Sequence, residues 1–206
     1  MEIKEFVNNI GIEQSANTYI LIDGKDCVII DPGFVDPEVG QYIKDNSLNL
    51  KGILLTHGHF DHIRGVGAYN CPVYMHKNDV ELLTNPHLNC SDRFSRKDIV
   101  IDIKPEIVED GQELHLLSKA IKVIHTPYHT MGSVCYYLPE EKILFSGDSL
   151  FKGSIGRSDF ITSDPRLIKD SLAKLAALDD DVVIYPGHMN NTTIGEERNE
   201  NPFVKR

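Results

Sequence analysis

Residues 56–62, T-H-G-H-F-D-H, place three histidines and an aspartate directly after the apolar run Gly52-Ile53-Leu54-Leu55. Polar side chains packed this closely are costly in an apolar core unless they have partners. They cannot all face one way on a continuing strand or helix, so we expect a loop at a strand end, with Leu55 as the last strand residue. Imidazole nitrogens and carboxylate oxygens suit zinc, and also iron or manganese. The stretch therefore predicts a metal site.

Short β-branched and aromatic runs predict strands along much of the chain. The turn Asp23-Gly24-Lys25-Asp26 is typical of a β-hairpin. The predicted strands are Asn17 to Asp23, Cys27 to Ile30, Ile53 to Leu55, Ile121 to Ile124, Ser133 to Leu138, Lys142 to Phe145 and Val182 to Tyr185.

Two Asp-Pro pairs, at Asp36-Pro37 and Asp164-Pro165, predict helix starts, because the aspartate can cap free amides and proline suits the first helical position. Apolar residues then recur at helical spacing from Leu167 to Ala176, which favours an amphipathic helix laid on a sheet. Strands alternating with helices suggest a sandwich of mixed sheets with helices outside. No repeat or linker interrupts residues 1–206, so we expect one domain.

The composition excludes several classes of protein. The 206 residues are 41% apolar and 25% charged, and 21 basic against 31 acidic residues give a net charge of −10. This balance disfavours nucleic acid and anionic membrane surfaces as partners. The N-terminus lacks the pattern of an export signal, the apolar runs are too short to span a membrane, and four scattered cysteines fit a reducing compartment. We therefore expect a cytoplasmic protein.

Three further donors follow other strand-like runs: His129 in V-I-H-T-P-Y-H-T, Asp148 in I-L-F-S-G-D-S-L-F, and His188 in V-V-I-Y-P-G-H. The four donors at 57–62 would be enough for one closed structural ion. Three more exceed that need. Two metals that share a bridging carboxylate account for all seven.

These four motifs, in this order and spacing, resemble the metallo-β-lactamase superfamily. Within it, I-D-P-G at 30–33, G-S-I-G-R-S-D-F at 153–160 and T-I-G-E-E-R-N-E-N-P-F at 193–203 are similar to the bacterial hydroxyacylglutathione hydrolase-like (type II glyoxalase-like) branch. The likeness covers nearly the whole chain.

The resemblance implies an αββα sandwich of two mixed β-sheets flanked by helices, with the site along one edge between the sheets. It assigns two divalent metal ions, with zinc favoured over iron or manganese. One ion would be bound by His57, His59 and His129, the other by Asp61, His62 and His188, with Asp148 bridging them. Asp31 matches a position that supports the loop without binding metal, where a carboxylate fixes imidazole orientation.

The implied activity is hydrolysis of a small thioester, such as S-lactoylglutathione or a related hydroxyacyl thiol ester, by a metal-bridged hydroxide. Asp61 and Asp148 are the predicted catalytic carboxylates, because a ligand carboxylate can also accept a proton from the attacking water. Arg157 stands where related hydrolases carry a cationic substrate-binding residue, and a structural arginine is the alternative.

The sequence departs from the family pattern at three places. Tyr128 stands where the family usually has glycine, so we expect its ring to line or narrow the entrance. Met189 follows His188, where glycine is common. Full-size relatives also carry a C-terminal helical region that grips glutathione, whereas this sequence ends at Arg206. The thiol carrier and the oligomeric state stay open.

Other activities remain as alternatives. Persulfide dioxygenases share much of this motif set but use a single iron to activate oxygen. A β-lactamase is disfavoured by the missing export pattern, and a tRNA-processing nuclease by the acidic charge. A non-enzymatic protein with a structural metal would have to explain seven donors. For the other histidines, we expect His125 to be buried or to support a ligand, and His76, His87 and His115 to be structural or exposed.

Overall fold

Two six-stranded β-sheets form the body of the molecule. The computed structural model describes residues 1–7, 15–33 and 37–204. The first sheet contains β1 (Glu2–Phe6), β2 (Thr18–Asp23), β3 (Asp26–Ile30), β4 (Asn49–Leu54), β5 (Val73–His76) and β6 (Glu106–Val108). The second contains β7 (Glu113–Leu114), β8 (Ile121–His125), β9 (Val134–Leu138), β10 (Ile143–Gly147), β11 (Val183–Pro186) and β12 (Thr192–Thr193).

Both sheets are mixed. The first has the order β1-β2-β3-β4-β5-β6, antiparallel up to β3 and parallel from β3 to β6. The second has the order β12-β11-β10-β9-β8-β7, and its one parallel pair is β10 with β11. Strands β3, β4, β10 and β11 therefore end beside a parallel neighbour, and a predicted site residue follows each of them within a few positions.

Alternation along the strands divides the apolar side chains into three layers. On β2, Tyr19 and Leu21 face the second sheet, while Ile20 and Ile22 face the opposite way. The inter-sheet layer is completed by Val28, Ile30 and Leu54 from the first sheet and by Ile121, Val123, Val134, Tyr136, Leu138 and Phe145 from the second. Because both faces of each sheet carry buried apolar side chains, other elements must pack against the outer faces.

Helices supply that cover. Helix α1 (Pro37–Asp45) places Val39 on the outer face of the first sheet. Helix α4 (Ile168–Ala176) places Leu172 and Leu175 on the second, together with Ile194 of α5 (Ile194–Glu200). Two one-turn helices, α2 (Phe60–Ile63) and α3 (Ser91–Phe94), and 3₁₀ helices at Val66–Ala68, Lys77–Leu83 and Pro165–Leu167 occupy the loops. The molecule is an αββα sandwich, as predicted.

The seven predicted strands are confirmed, each with somewhat different ends. The hairpin turn is confirmed as well, since Asp23 pairs with Asp26 and Gly24 has a φ of 61°. The Asp164 carboxylate accepts a hydrogen bond from the Arg166 backbone amide, which confirms the predicted helix cap at Asp164. Asp36 lies outside the described residues, so its cap stays a prediction. Strands β1, β5, β6, β7 and β12 were not predicted from the sequence.

Four hydrogen bonds tie the two sheets and their loops together at the edge where β3, β4, β10 and β11 end. The Val134 amide donates to Thr56 O at 2.8 Å, and the Tyr136 hydroxyl donates to Leu55 O at 2.9 Å. The Gly187 amide donates to Gly147 O at 2.9 Å, and the Asn17 amide donates to Gly187 O at 2.7 Å. These bonds fix the loops that carry the predicted site.

No helix among the described residues is both long and apolar enough to cross a bilayer.

The layered core predicts that replacing either of two strand isoleucines by alanine lowers the free energy of unfolding by very different amounts. Ile121 is fully buried between the sheets, whereas Ile107 on β6 is 42% exposed. We expect Ile121→Ala to lower the free energy of unfolding by about 2–5 kcal/mol, and Ile107→Ala to lower it by about 1 kcal/mol or less. Urea unfolding of both variants checks this. Equal losses would contradict the layer assignment.

Candidate metal centre

The three histidines of the first predicted group lie together. The turn after β4 carries His57 and His59, and the turn after β8 carries His129. His59 Nδ1 is 3.1 Å from His57 Nε2 and 2.9 Å from His129 Nε2. All three side chains are buried, with at most 4% exposed. Three imidazole nitrogens therefore converge on one point.

The second group lies beside it and is more open. Asp61 and His62 lie on α2, and His188 follows β11. Asp61 Oδ2 is 3.1 Å from His188 Nε2 and 3.9 Å from His62 Nε2. Exposure rises from 0% for the His62 side chain to 15% for Asp61 and 26% for His188. Solvent thus reaches the site at Asp61 and His188.

Asp148, directly after β10, lies between the groups. Its Oδ2 is 3.4 Å from His129 Nε2, and its Oδ1 is 3.2 Å from His62 Nε2. One carboxylate thus presents an oxygen to each group. The structure brings together all seven donors that the sequence predicts as ligands, in an arrangement consistent with a dinuclear metal site.

Two buried atoms test whether these residues fit metal ions. His62 Nε2 and Asp148 Oδ1 are buried and lie 3.2 Å apart, but neither has the geometry of a hydrogen bond to the other or to any described group. Unpaired buried polar atoms are uncommon in proteins and call for a ligand or an ion. Both atoms point into the cluster, and both are donor types that divalent metals take. The residues therefore fit a metal centre.

On three of the histidines, the ring nitrogen that faces away from the cluster is held by the protein. His62 Nδ1 is 2.9 Å from Asp31 Oδ2, and His129 Nδ1 donates to Arg157 O at 2.7 Å. His57 Nδ1 is 3.2 Å from Thr56 Oγ1, which donates to Asp31 Oδ2 at 2.6 Å. Such partners fix the ring and leave the opposite nitrogen free to bind metal. Asp31 thus has the supporting position predicted for it.

Burial keeps the three-histidine group uncharged. It lowers the pKa of His57 well below the usual value, that of His59 to about 3, and that of His129 by a smaller amount. The neighbouring histidines act in the same direction on all three rings. Neutral imidazole is the form that binds metal.

The second group attracts positive charge instead. Burial opposes the effect, but Asp148, Asp31 and Asp61 together raise the pKa of His62 well above its usual value. Burial would likewise raise the pKa of Asp148, yet His188 and His62 hold it well below the usual range. This field favours a cation at the site, whether a proton or a metal ion.

The side chain of Arg157 lies at the rim of the centre. Its guanidinium sits 4.6 Å from the Phe160 ring centroid and pairs with both oxygens of Asp159, at 2.9 and 2.8 Å. The Phe160 ring lies 5.0 Å from the His59 ring, and the half-exposed Phe94 ring lies 6.3 Å beyond Phe160. Two aromatic rings and the Arg157–Asp159 ion pair therefore border the three-histidine group.

The expectation that Tyr128 lines the entrance is wrong. The side chain is fully buried, and its hydroxyl donates to Ser149 O at 2.6 Å and to Asp148 O at 3.1 Å. A buried phenol needs such partners, and here they lie on the inner side of the loop that carries Asp148. Tyr128 therefore holds that loop and does not face substrate.

Met189 shows why glycine is common at its position. Its φ is 69°, in the left-handed region that glycine enters freely and other residues seldom adopt. The side chain is 56% exposed, and the Met189 carbonyl accepts the Asn17 side-chain amide at 3.0 Å. The substitution therefore preserves the turn that carries His188.

Two features of the site were missed from the sequence. Asp79, in the 3₁₀ helix Lys77–Leu83, is buried beneath the turns that carry His57 and His129, and burial raises the pKa of its carboxyl to about 6. His76 stacks on His125 with the ring centroids 4.0 Å apart, and His125 Nε2 is 3.0 Å from Met131 O. The sequence predicts His76 to be structural or exposed, and the structure shows it buried against His125.

Residues 11–188 match the model of the metallo-beta-lactamase superfamily. The chain therefore belongs to that superfamily, and its fold and donor cluster agree with this assignment.

Particular relatives span nearly the same length. The chain is 34% identical to the probable metallo-hydrolase YqgX of Bacillus subtilis, with 92% of both chains covered. It is 35% identical to the hydroxyacylglutathione hydrolase GloC of Haemophilus influenzae, over 88% of this chain and 89% of the relative.

Two solved structures are also similar over almost their whole length. The BLEG-1 B3 metallo-beta-lactamase matches with a TM-score of 0.91 and 35% identity, covering 100% of both chains. TTHA1623 in a di-iron-bound form matches with a TM-score of 0.84 and 34% identity, covering 96% of this chain and 99% of that one.

The close packing around the cluster predicts opposite effects for two glycine substitutions. A Cβ at Gly187 would lie 2.4 Å from Asp148 Oδ1 and 2.7 Å from His62 Cε1, whereas a Cβ at Gly40 in α1 would meet nothing within 4 Å. We expect Gly187→Ala to push these donors apart and to lower bound metal per chain. Gly40→Ala should keep the metal and stabilise the helix by about 0.5–1 kcal/mol. Elemental analysis and thermal unfolding check both, and full metal content in Gly187→Ala would contradict this packing.

Proposed function

We propose that this chain is a metal-dependent hydrolase of the hydroxyacylglutathione hydrolase-like branch, and that it cleaves small thioesters. The observation that carries the proposal is the pairing of two donor groups through Asp148 at a partly open edge. The similarity to GloC supports the branch. The three branch motifs identified in the sequence support it as well.

The chain's own residues would hold the ions and manage protons. His57, His59 and His129 would hold one ion, Asp61, His62 and His188 the other, and Asp148 both. Bound divalent ions would supply a nucleophile at neutral pH by lowering the pKa of water, and would polarise the carbonyl under attack. We favour zinc, and the di-iron form of TTHA1623 makes iron a concrete second candidate.

Asp61 is the carboxylate best placed to move a proton. Burial would raise its pKa, but His62 and His188 outweigh burial and lower it. The group therefore stays ionised at neutral pH, and its lowered pKa makes it a weak base that would release an accepted proton readily. Its side chain is 15% exposed beside the more open His188, so a proton could pass from it to solvent.

Thioesters suit this centre because a thiolate leaves readily without a general acid. The cysteines are poor alternative nucleophiles. Burial raises the pKa of Cys27, Cys90 and Cys135 to about 11, and it also raises the pKa of the half-buried Cys71. A thiol with so high a pKa carries almost no thiolate at neutral pH. Covalent catalysis by cysteine is therefore disfavoured.

A second candidate is β-lactam hydrolysis. It is favoured by one observation, the match of BLEG-1 B3 metallo-beta-lactamase across the whole of both chains. The same donors would serve either reaction, because both begin with attack on a carbonyl carbon. The difference lies in the leaving group, since an amide nitrogen needs a proton and a thiolate does not.

Metal content together with a substrate panel tests the proposal. We expect about two zinc or iron ions per chain after purification without added metal, and hydrolysis of S-lactoylglutathione or a smaller hydroxyacyl thioester. A chromogenic cephalosporin tests the second candidate. One iron per chain with oxygen uptake on glutathione persulfide, and no thioester turnover, would overturn the proposal in favour of a dioxygenase.

The bridging position of Asp148 gives a direct prediction. Asp148→Asn keeps one acceptor oxygen and loses the charge, so we expect loss of at least one metal ion and a fall in thioesterase activity of about 100-fold or more. The control is Asp110→Asn, whose carboxylate accepts the His125 amide at 2.8 Å outside the donor cluster. Elemental analysis and initial rates check both variants. Unchanged metal and rate in Asp148→Asn would refute the bridge.

A substrate-binding role for Arg157 predicts a change in KM. Arg157→Ala should raise KM for carboxylate-bearing thioesters by about tenfold, which corresponds to the loss of one charge-assisted hydrogen bond. Arg166 is the matched control, since it pairs with both oxygens of Asp164 in the same way. We expect Arg166→Ala to leave KM unchanged. Equal KM in wild type and Arg157→Ala would show that Arg157 has a structural role only.

A further inference from the structure

We propose that Asp79 is a positioning residue that locks together the two turns carrying His57, His59 and His129, and so sets the metal affinity of the three-histidine group. The inference rests on the metal centre assumed in the proposed function. Asp79 lies outside the ligand motifs, and the hydrogen bonds to its carboxylate come from Gly58, Thr130 and Gly132, none of which is a predicted ligand.

The contacts of Asp79 join the two turns through one carboxylate. Its Oδ2 accepts the Gly58 amide at 2.9 Å, between the two histidines of the first turn. The same oxygen accepts the Thr130 hydroxyl at 2.6 Å, next to His129 in the second turn. Its Oδ1 accepts the Gly132 amide at 2.7 Å. Both carboxylate oxygens therefore accept hydrogen bonds, and these bonds connect Asp79 to both turns.

Burial makes these bonds strong determinants of position. Asp79 is 1% exposed, and Thr130 is fully buried. Bonds between an ionised acceptor and backbone amides are among the stronger hydrogen bonds, and their loss in a dry site leaves donors unsatisfied. Asp79 therefore fixes the separation of the two turns at their tips, beyond the backbone hydrogen bond from Val134 to Thr56 O that joins their bases.

Gly58 in the first turn and Gly132 in the second show how closely both turns pack against the segment that carries Asp79. A Cβ at Gly132 would lie 2.5 Å from Asp79 Cγ, and a Cβ at Gly58 would lie 2.6 Å from Leu82 Cβ. No larger residue fits at either place without movement. Both turns are thus seated directly on the 3₁₀ helix Lys77–Leu83, which serves as their common base.

Asp31 and Asp79 support different parts of the centre. Asp31 contacts the His62 ring directly and the His57 ring through Thr56. Asp79 contacts neither ring but holds the backbone beside His57, His59 and His129. Loss of Asp79 should therefore loosen the three-histidine group and spare the group of Asp61, His62 and His188.

Single-group backgrounds separate these effects. His188→Ala keeps the three-histidine group intact, and His129→Ala keeps the other group intact. Asp79→Asn is introduced into each, and the dissociation constant for Co²⁺ is measured on chelator-treated protein by visible absorption. We expect Asp79→Asn to weaken Co²⁺ binding by about 10- to 100-fold in the His188→Ala background. In the His129→Ala background we expect a change of no more than about twofold.

Glu197→Gln is the matched control. Glu197 is 2% exposed and likewise accepts a backbone amide, from Gly153 at 2.8 Å, and a threonine hydroxyl, from Thr192 at 2.6 Å. It contacts neither turn of the three-histidine group. We expect Glu197→Gln to lower the melting temperature without changing Co²⁺ affinity in either background. Thermal unfolding of all variants separates lost stability from lost affinity.

The outcomes distinguish the two proposals. Equal weakening in both backgrounds, or none in the His188→Ala background, would overturn the role of Asp79 and leave the metal centre standing. A wild-type chain that binds no Co²⁺ would overturn both. If Asp79→Asn does not fold, Thr130→Val removes a single donor to the same carboxylate, and the same selective weakening is expected.

Discussion

The concentration of seven metal-capable side chains at one edge of the sandwich, five of them buried and two partly exposed, is the constraint on which the rest of the structure depends. Histidines and carboxylates lose their hydration there, and that loss is unfavourable unless other groups replace the water. Protein acceptors hold the outer nitrogens of His57, His62 and His129. The inner atoms His62 Nε2 and Asp148 Oδ1 face each other at 3.2 Å without hydrogen-bond geometry. Divalent cations would satisfy those inner atoms.

The mixed sheets make this concentration possible. Parallel pairing of β3 with β4, and of β10 with β11, brings the carboxyl ends of four strands to one edge. Asp31, His57, Asp148 and His188 each follow one of those ends. Hydrogen bonds between the sheets at Thr56 and Leu55 then hold the two halves of the site in register. The apolar layers matter for function because they fix where these ends meet.

The sequence predicted those parts of the site that depend on short motifs at the ends of strands. All seven donors could be identified because each lies in a short motif after an apolar run, whereas Asp31 was identified from the family resemblance, and the structure brings all eight residues together. Asp79 could not be identified, because its partners Gly58 and Thr130 lie 21 and 51 residues away and two of its three bonds are to backbone amides. Backbone amides occur at almost every residue and leave no sequence signal. The direction of the Tyr128 side chain was equally hidden, since its partners are carbonyl oxygens.

The two donor groups differ in charge and in access, and that difference bears on mechanism. The three-histidine group is neutral and closed, with the Phe160 ring against His59. The other group contains Asp61, borders Asp148 and opens to solvent at His188. An ion in the closed group would be held by three nitrogens and shielded, whereas an ion in the open group could exchange ligands. Substrate and product would therefore enter and leave past Asp61 and His188, while the positions of the closed group stay fixed by the turns beneath them.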